Sequence, residues 1–201
     1  MYMATLHLGF LASHSGSNIQ SIIDAIKKNL LDAKPCVIIS NNSKAYVLER
    51  AKIENIPSYH ISSIKYPEQE QLDNAIIEHL DKHGVDTVVL AGYMKLLSKK
   101  VIEHFNGRVL NIHPALLPKF GGASMYGMAV HQAVIEAGEI ESGATIHIVD
   151  SDYDRGRILA QEIVPVFPDD SPEMLAARVL EVEHQIYWKT LHRIAIGEIV
   201  I

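Results

Sequence analysis

The sequence predicts an α/β fold: a Rossmann-like open sheet, mostly parallel, with helices on both faces and an antiparallel C-terminal strand pair. Three observations carry this. Short, continuously apolar runs of strand length alternate with longer stretches whose apolar residues recur at helical spacing. The strand-like runs are apolar throughout rather than at every second residue, as parallel strands covered on both faces require. After about residue 142 the alternation stops, and two strand-like runs follow each other across a turn.

The first strand is Leu6-His7-Leu8-Gly9-Phe10-Leu11-Ala12, closing in the polar loop Ser13-His14-Ser15-Gly16-Ser17-Asn18. Ile19, Ile22, Ile23, Ile26 and Leu30 then share one face of a helix. Residues 36–40 read as a second strand, 44–54 as a helix and 58–61 as a short third strand. A helix over 66–83 gathers Leu72, Ile76, Ile77 and Leu80 on one face. Residues 86–92 form the clearest buried strand, followed by a short helix over 99–105 and a strand over 108–112. Residues 144–149 and 158–166 make the antiparallel pair around the turn 150–156. Ser171 caps a final helix running to Ile194, with Pro172 at its first position. No linker, repeat or low-complexity tract interrupts this order, so a single domain over residues 1–201 is expected.

Length and charge narrow the function. A chain of 201 residues buries enough surface to need no disulfide or metal staple. Eighteen Lys and Arg against 24 Asp and Glu leave a net charge of −6, which argues against a nucleic-acid or membrane-surface partner. The lone cysteine, Cys36, reads as a reduced thiol buried in a strand. No run nears the roughly 18 apolar residues of a membrane span. The start, MYMATLHLGF, lacks the regions of a signal peptide, so a cytoplasmic protein is expected.

In an open α/β sheet, ligands bind beyond the carboxyl ends of the strands. Three polar clusters fall there. At Ser15-Gly16-Ser17-Asn18, free amides at a helix start suit a phosphate, with Gly16 permitting close approach; ordinary helix capping is the alternative. In Val109-Leu110-Asn111-Ile112-His113-Pro114, strand alternation sends Asn111 and His113 to one side, an amide beside an imidazole able to bind an oxyanion and move a proton. The alternative is a satisfied half-buried histidine with a turn asparagine. Residues 150–156 bring three carboxylates together, either as an exposed turn or with one of them orienting His113 and raising its pKa. The spacing fails for a calcium loop. His79 and His83 stand at i and i+4, but Leu80 occupies the place where a zinc protease needs Glu, so an exposed helix face is expected and no metal. Met125, Tyr126 and Met128 read as a flexible cover over the site.

In order and spacing, these clusters resemble the glycinamide ribonucleotide transformylases. The matching segments are Ser15-Gly16-Ser17-Asn18, Val88-Val89-Leu90-Ala91-Gly92-Tyr93-Met94, Asn111-Ile112-His113-Pro114-Ala115-Leu116-Leu117-Pro118, His131-Gln132-Ala133 and residues 161–165. The resemblance covers nearly the whole chain, and its Asn-Ile-His-Pro-x-Leu-Leu-Pro string is specific to folate-dependent formyl transfer. It implies transfer of a formyl group from 10-formyltetrahydrofolate, as co-substrate, to the amine of 5'-phosphoribosylglycinamide in purine synthesis, through a tetrahedral intermediate. It implies catalytic roles for Asn111, His113 and Asp154, and phosphate and ribose contacts at Gly16, Ser17, Asn18 and Glu183. It also implies a folate slot along Met94, Lys95, Leu96, Leu97, Asn111, Asp150, Asp152 and Asp154, small-molecule partners only, and a monomer or homodimer.

The chain departs from the family at His14 and Ser15, where many members have Gly and Asn, at Arg155, where Gly is common, and at Gln69, near an Arg of some members. Its loop 120–128 is longer than in the shortest members. A sugar-nucleotide N-formyltransferase shares the Asn, His and Asp but not the Gly-Ser-Asn loop. Methionyl-tRNA formyltransferase and formyltetrahydrofolate deformylase carry additional domains. A non-catalytic phosphometabolite-binding module would not need both His113 and Asp154.

Overall fold

The structure, a computed structural model, describes residues 5–150 and 154–201. Strands β1 (Leu6–Ala12), β2 (Ala33–Ser40), β3 (Ser58–His60), β4 (Thr87–Leu90) and β5 (Val109–His113) run parallel. Strands β6 (Glu141–Ile148) and β7 (Ile158–Pro165) extend the sheet antiparallel, giving the order β3-β2-β1-β4-β5-β6-β7. The helices are α1 (Ser17–Lys27), α2 (Val47–Ile53), α3 (Gln69–Lys82), α4 (Lys99–His104), α5 (Met128–Glu136) and α6 (Pro172–Ala195). No helix among the described residues is long and apolar enough to cross a membrane.

Alternation along β1 explains the layering. Leu8, Phe10 and Ala12 join a core shared with α1, α2, α5 and α6, whereas Leu11 joins a second core beneath α3 and α4. Both faces of the sheet are covered, which is why its strands are apolar throughout. At Gly9 a Cβ would stand 2.5 Å from Leu80 Cδ2 and 2.9 Å from Val85, so glycine is what lets α3 close onto the strand. Helix α6 begins as its sequence predicts, with Ser171 Oγ accepting from the Met174 amide at 3.3 Å. Farther along, fully buried Tyr187 places its hydroxyl 3.0 Å from the carbonyl oxygens of both Leu90 and Leu110, tying α6 to the floor under β4 and β5.

Strand β2 starts at Ala33, earlier than the apolar pattern suggests. Pro35 masks that extension, and it is tolerated because the pairing with β1 shifts beside it and β3 reaches only Ile38–Ser40. Cys36 is a free thiol buried in this strand. Helix α5 was not expected at all. Only Val130, His131 and Val134 of its nine residues are buried, so little helical periodicity shows, and a glycine-rich loop leads straight into it. Met128 therefore opens a helix rather than ending a loop. His79 and His83 do not lie on an open face: both pack on Tyr59, with ring centroids at 4.2 and 5.6 Å.

Candidate active site

A cleft of about 440 Å³ opens at the carboxyl ends of β4 and β5. Its floor is Asn111 and His113, alternate residues of β5 that share one side of the strand. Antiparallel pairing with β6 then sets His147 opposite Asn111. The Asn111 amide Nδ2 donates to His147 Nε2 at 3.1 Å. His147 Nδ1 lies 3.0 Å from the Ile148 carbonyl oxygen, which fixes the proton on Nδ1 and leaves the Nε2 lone pair for Asn111.

Asp154 joins this pair to His113. Its Oδ1 stands 3.5 Å from His147 Nε2 and its Oδ2 stands 3.5 Å from His113 Nδ1, while the Gly122 amide donates to Oδ2 at 3.0 Å. On the other edge of the ring, His113 Nε2 donates to the Phe120 carbonyl at 2.7 Å. Phe120 and Asp154, which flank the imidazole, both hold φ at 55°, a region aspartate tolerates far better than phenylalanine. The segment after β5 is pinned as well: Thr145 Oγ1 donates to the Ala115 carbonyl at 2.6 Å and accepts from the Leu117 amide at 3.1 Å.

Burial holds the His113 pKa below the ordinary 6.5; the Asp154 charge and the Phe120 carbonyl pull it up without prevailing. The carboxylate does act upward as expected, but desolvation is the larger effect and the net shift is downward. For Asp154, burial pushes upward, but His147, the Gly122 amide and the nearby imidazoles together hold the carboxyl below 3.8. The resting pair is a carboxylate beside a neutral, buried imidazole.

The other end of the cleft is formed by α1 and α6. Gly16 sits at the N-cap with φ 70°, and no side chain caps the helix amides. A Cβ at Gly16 would lie 2.3 Å from Val47 Cγ2, so this glycine answers the turn and its packing on α2, not the approach of a ligand alone. Buried Asn18 donates from Nδ2 to Glu183 Oε2 at 2.8 Å, and its Oδ1 has no partner among the described residues. Burial pushes the Glu183 carboxyl up to about 7 despite that hydrogen bond. Asn18 and Glu183 both line the cleft, whereas Gly16 and Ser17, at the helix start, are not among its lining residues.

At the third side, the loop after β4 supplies Met94, Lys95, Leu96 and Leu97 to the wall. Its position is set by Ser13, whose Oγ accepts from the Met94 amide at 2.8 Å. Asp150 follows β6 outside the wall, and Asp152 lies outside the described residues. Two histidines of the cleft, His147 and His131, were not among the expected site residues. His147 was legible in principle, since antiparallel alternation places it on Asn111's side. His131 lies on α5, the helix the periodicity did not reveal.

A family model described as formyl transferase matches residues 7–191. The chain is similar to the phosphoribosylglycinamide formyltransferase of Haemophilus influenzae, 43% identical over 180 residues that span 90% of this chain and 82% of the relative. It is 38% identical to the enzyme of that name from Escherichia coli over 182 residues, 90% of this chain and 84% of the relative. Among solved structures, glycinamide ribonucleotide transformylase 1 from Symbiobacterium toebii superimposes with a TM-score of 0.92 at 37% identity, covering 98% of this chain and 91% of that one.

Proposed function

The chain belongs to the formyl transferase family, and we propose that it transfers a formyl group from 10-formyltetrahydrofolate to the amine of 5'-phosphoribosylglycinamide in purine synthesis. One observation carries the reading. A chain of polar contacts, with Asn111 hydrogen-bonded to His147 and the Asp154 carboxylate 3.5 Å from both His147 and His113, stands on the floor of a cleft whose acceptor end is the Asn18–Glu183 pair. The acceptor's phosphate would take the amides at the start of α1, on Gly16, Ser17 and Asn18. Glu183 would meet the ribose hydroxyls. The folate would enter along Met94, Lys95, Leu96 and Leu97, over a wall that is mostly apolar, as a flat heteroaromatic ring requires.

Chemistry then follows from the donors already in place. The acceptor amine attacks the formyl carbon directly. As the carbonyl becomes an oxyanion, the remaining Asn111 amide proton stabilises it, and His113, braced by Asp154, supplies positive charge once Nδ1 has taken up a proton from solvent. Asn111 suits this role because its amide is oriented by His147 and carries no charge of its own.

The test follows tetrahydrofolate release by absorbance. Release should require 5'-phosphoribosylglycinamide, and inorganic phosphate should compete with the ribonucleotide but not with the folate. Release at the full rate without any amine would make water the acceptor and overturn the assignment. Release that depends on an amino sugar nucleotide would overturn the acceptor alone.

A further inference from the structure

His131 projects from α5 into the cleft wall and is only 5% exposed. Neither of its ring nitrogens hydrogen-bonds a described residue, and Nδ1 is shut off from solvent. A buried polar side chain without a partner is rare enough in a folded protein to require a reason, and beside a reacting centre a catalytic role is one. The other two imidazoles of the cleft differ from it. His113 commits Nε2 to the Phe120 carbonyl and turns Nδ1 toward Asp154. His147 commits Nδ1 to the Ile148 carbonyl and Nε2 to Asn111. Of the three rings, His131 alone has no hydrogen bond to a described residue at either nitrogen.

Building on the formyl-transfer reading, we propose that His131 is a catalytic residue: the base that borrows the proton of the attacking amine and returns it to the departing folate nitrogen. The amine nitrogen bonds to the formyl carbon, the carbonyl π pair moves to oxygen beside Asn111, and the nitrogen becomes a cation with one proton to lose. The neutral His131 ring takes that proton. The tetrahedral carbon then expels N10 of the folate, which receives the proton from the His131 cation. The products are an N-formyl amide and tetrahydrofolate, and His131 is neutral again. His131 lies close enough to His113 for their charges to interact, and both rings are desolvated, which keeps His131 neutral at the start of each turnover. A cationic His131 beside the charge gathered on His113 is also unstable, and this favours passing the proton onward.

The experiment measures kcat and both KM values of the whole enzyme for His131→Gln and His131→Ala, with and without added imidazole. Glutamine fills the site and hydrogen-bonds, but it cannot carry the proton. In His131→Gln, kcat should fall by at least about 10²-fold while each KM moves within about threefold. In His131→Ala, imidazole should restore kcat in a saturable manner. A kcat within about threefold of wild type for His131→Gln overturns the proposal, as does a loss carried by KM. Should His131→Ala fail to fold, the His131→Gln result decides alone. Failure here is distinct from failure of the reading beneath it: wild-type enzyme that forms no formylglycinamide ribonucleotide overturns that reading, whereas active wild type with an equally active His131→Gln overturns only this base.

Discussion

The two polar ends of the cleft are built on opposite plans. At the reacting end, Asn111, His147, Asp154 and His113 form a chain in which each group is held by at least one other, and backbone groups of Phe120, Gly122 and Ile148 close its free positions. At the acceptor end, a single hydrogen bond joins Asn18 to Glu183, an amide oxygen is left over, and the carboxyl is pushed up to about 7. A satisfied network costs little to keep rigid, and its dipoles are already aimed when charge develops. An unsatisfied pair is poised to exchange partners with a ligand. Catalytic geometry is thus prepaid in the fold, and acceptor binding completes what the fold leaves open.

The sharpest way to break this contrast is to cut the chain at the reacting end. His113→Ala and Asp154→Asn should each lower kcat by at least about 10²-fold, because the imidazole loses either its ring or its brace. Since the pair acts as one unit, the double variant should be little worse than the poorer single one. Losses that multiply in full would show that His113 and Asp154 work separately. Asp154→Asn is the cleaner arm, because Asn can still accept from the Gly122 amide and tolerates positive φ.

How much of this was legible beforehand follows the same division. Strand β1 and the cap of α6 were readable because continuous apolar runs and Ser-Pro-Glu signals are local. Asn111 and His113 were readable because a period of two fixes their side of β5. A carboxylate brace for His113 was readable too, but Phe120, which holds His113, and Gly122, which holds Asp154, were not, since they contribute backbone atoms, which carry no residue signature. Gly16 was read as permitting a ligand's close approach, whereas its left-handed turn and its packing on Val47, from a helix far along the chain, show only in the structure. The family resemblance supplied Glu183, although only the structure reveals that burial and Asn18 set its proton affinity.

The acceptor end gives a smaller effect, read in stability. Folded, Glu183 keeps its proton up to about 7, whereas the unfolded chain releases it near 4.5. Between those values the native state binds more protons, so stability falls as pH rises through the window and levels off above it. At about 1.4 kcal/mol per pK unit, the decline amounts to about 3 kcal/mol. Glu183→Gln cannot titrate and should lose this part of the slope, which urea midpoints at about pH 5 and about pH 7.5 would compare with wild type. Parallel declines in the two proteins would mean that Glu183 is ionised in the fold.

The smallest expected effect separates the cleft from its support. Tyr187 lies one turn beyond Glu183 on α6, so any variant that loosens this helix could be mistaken for a loss at the acceptor end. Tyr187→Phe removes only the hydroxyl shared by the Leu90 and Leu110 carbonyls and leaves the ring in the core. The two carbonyl oxygens then lose the single donor they share, at a cost of about 1 to 3 kcal/mol, or a few degrees in Tm for a chain of this length. Leu90 lines the cleft itself, so a floor that depends on this bond would betray its movement in kcat. If the strands alone fix Asn111 and His113, both KM values and kcat should stay within about twofold of wild type while the melting temperature drops. A parallel fall in kcat would place α6 among the elements that aim the reacting end, and the contrast between a prepaid centre and an open acceptor site would then have to include the helix that joins them.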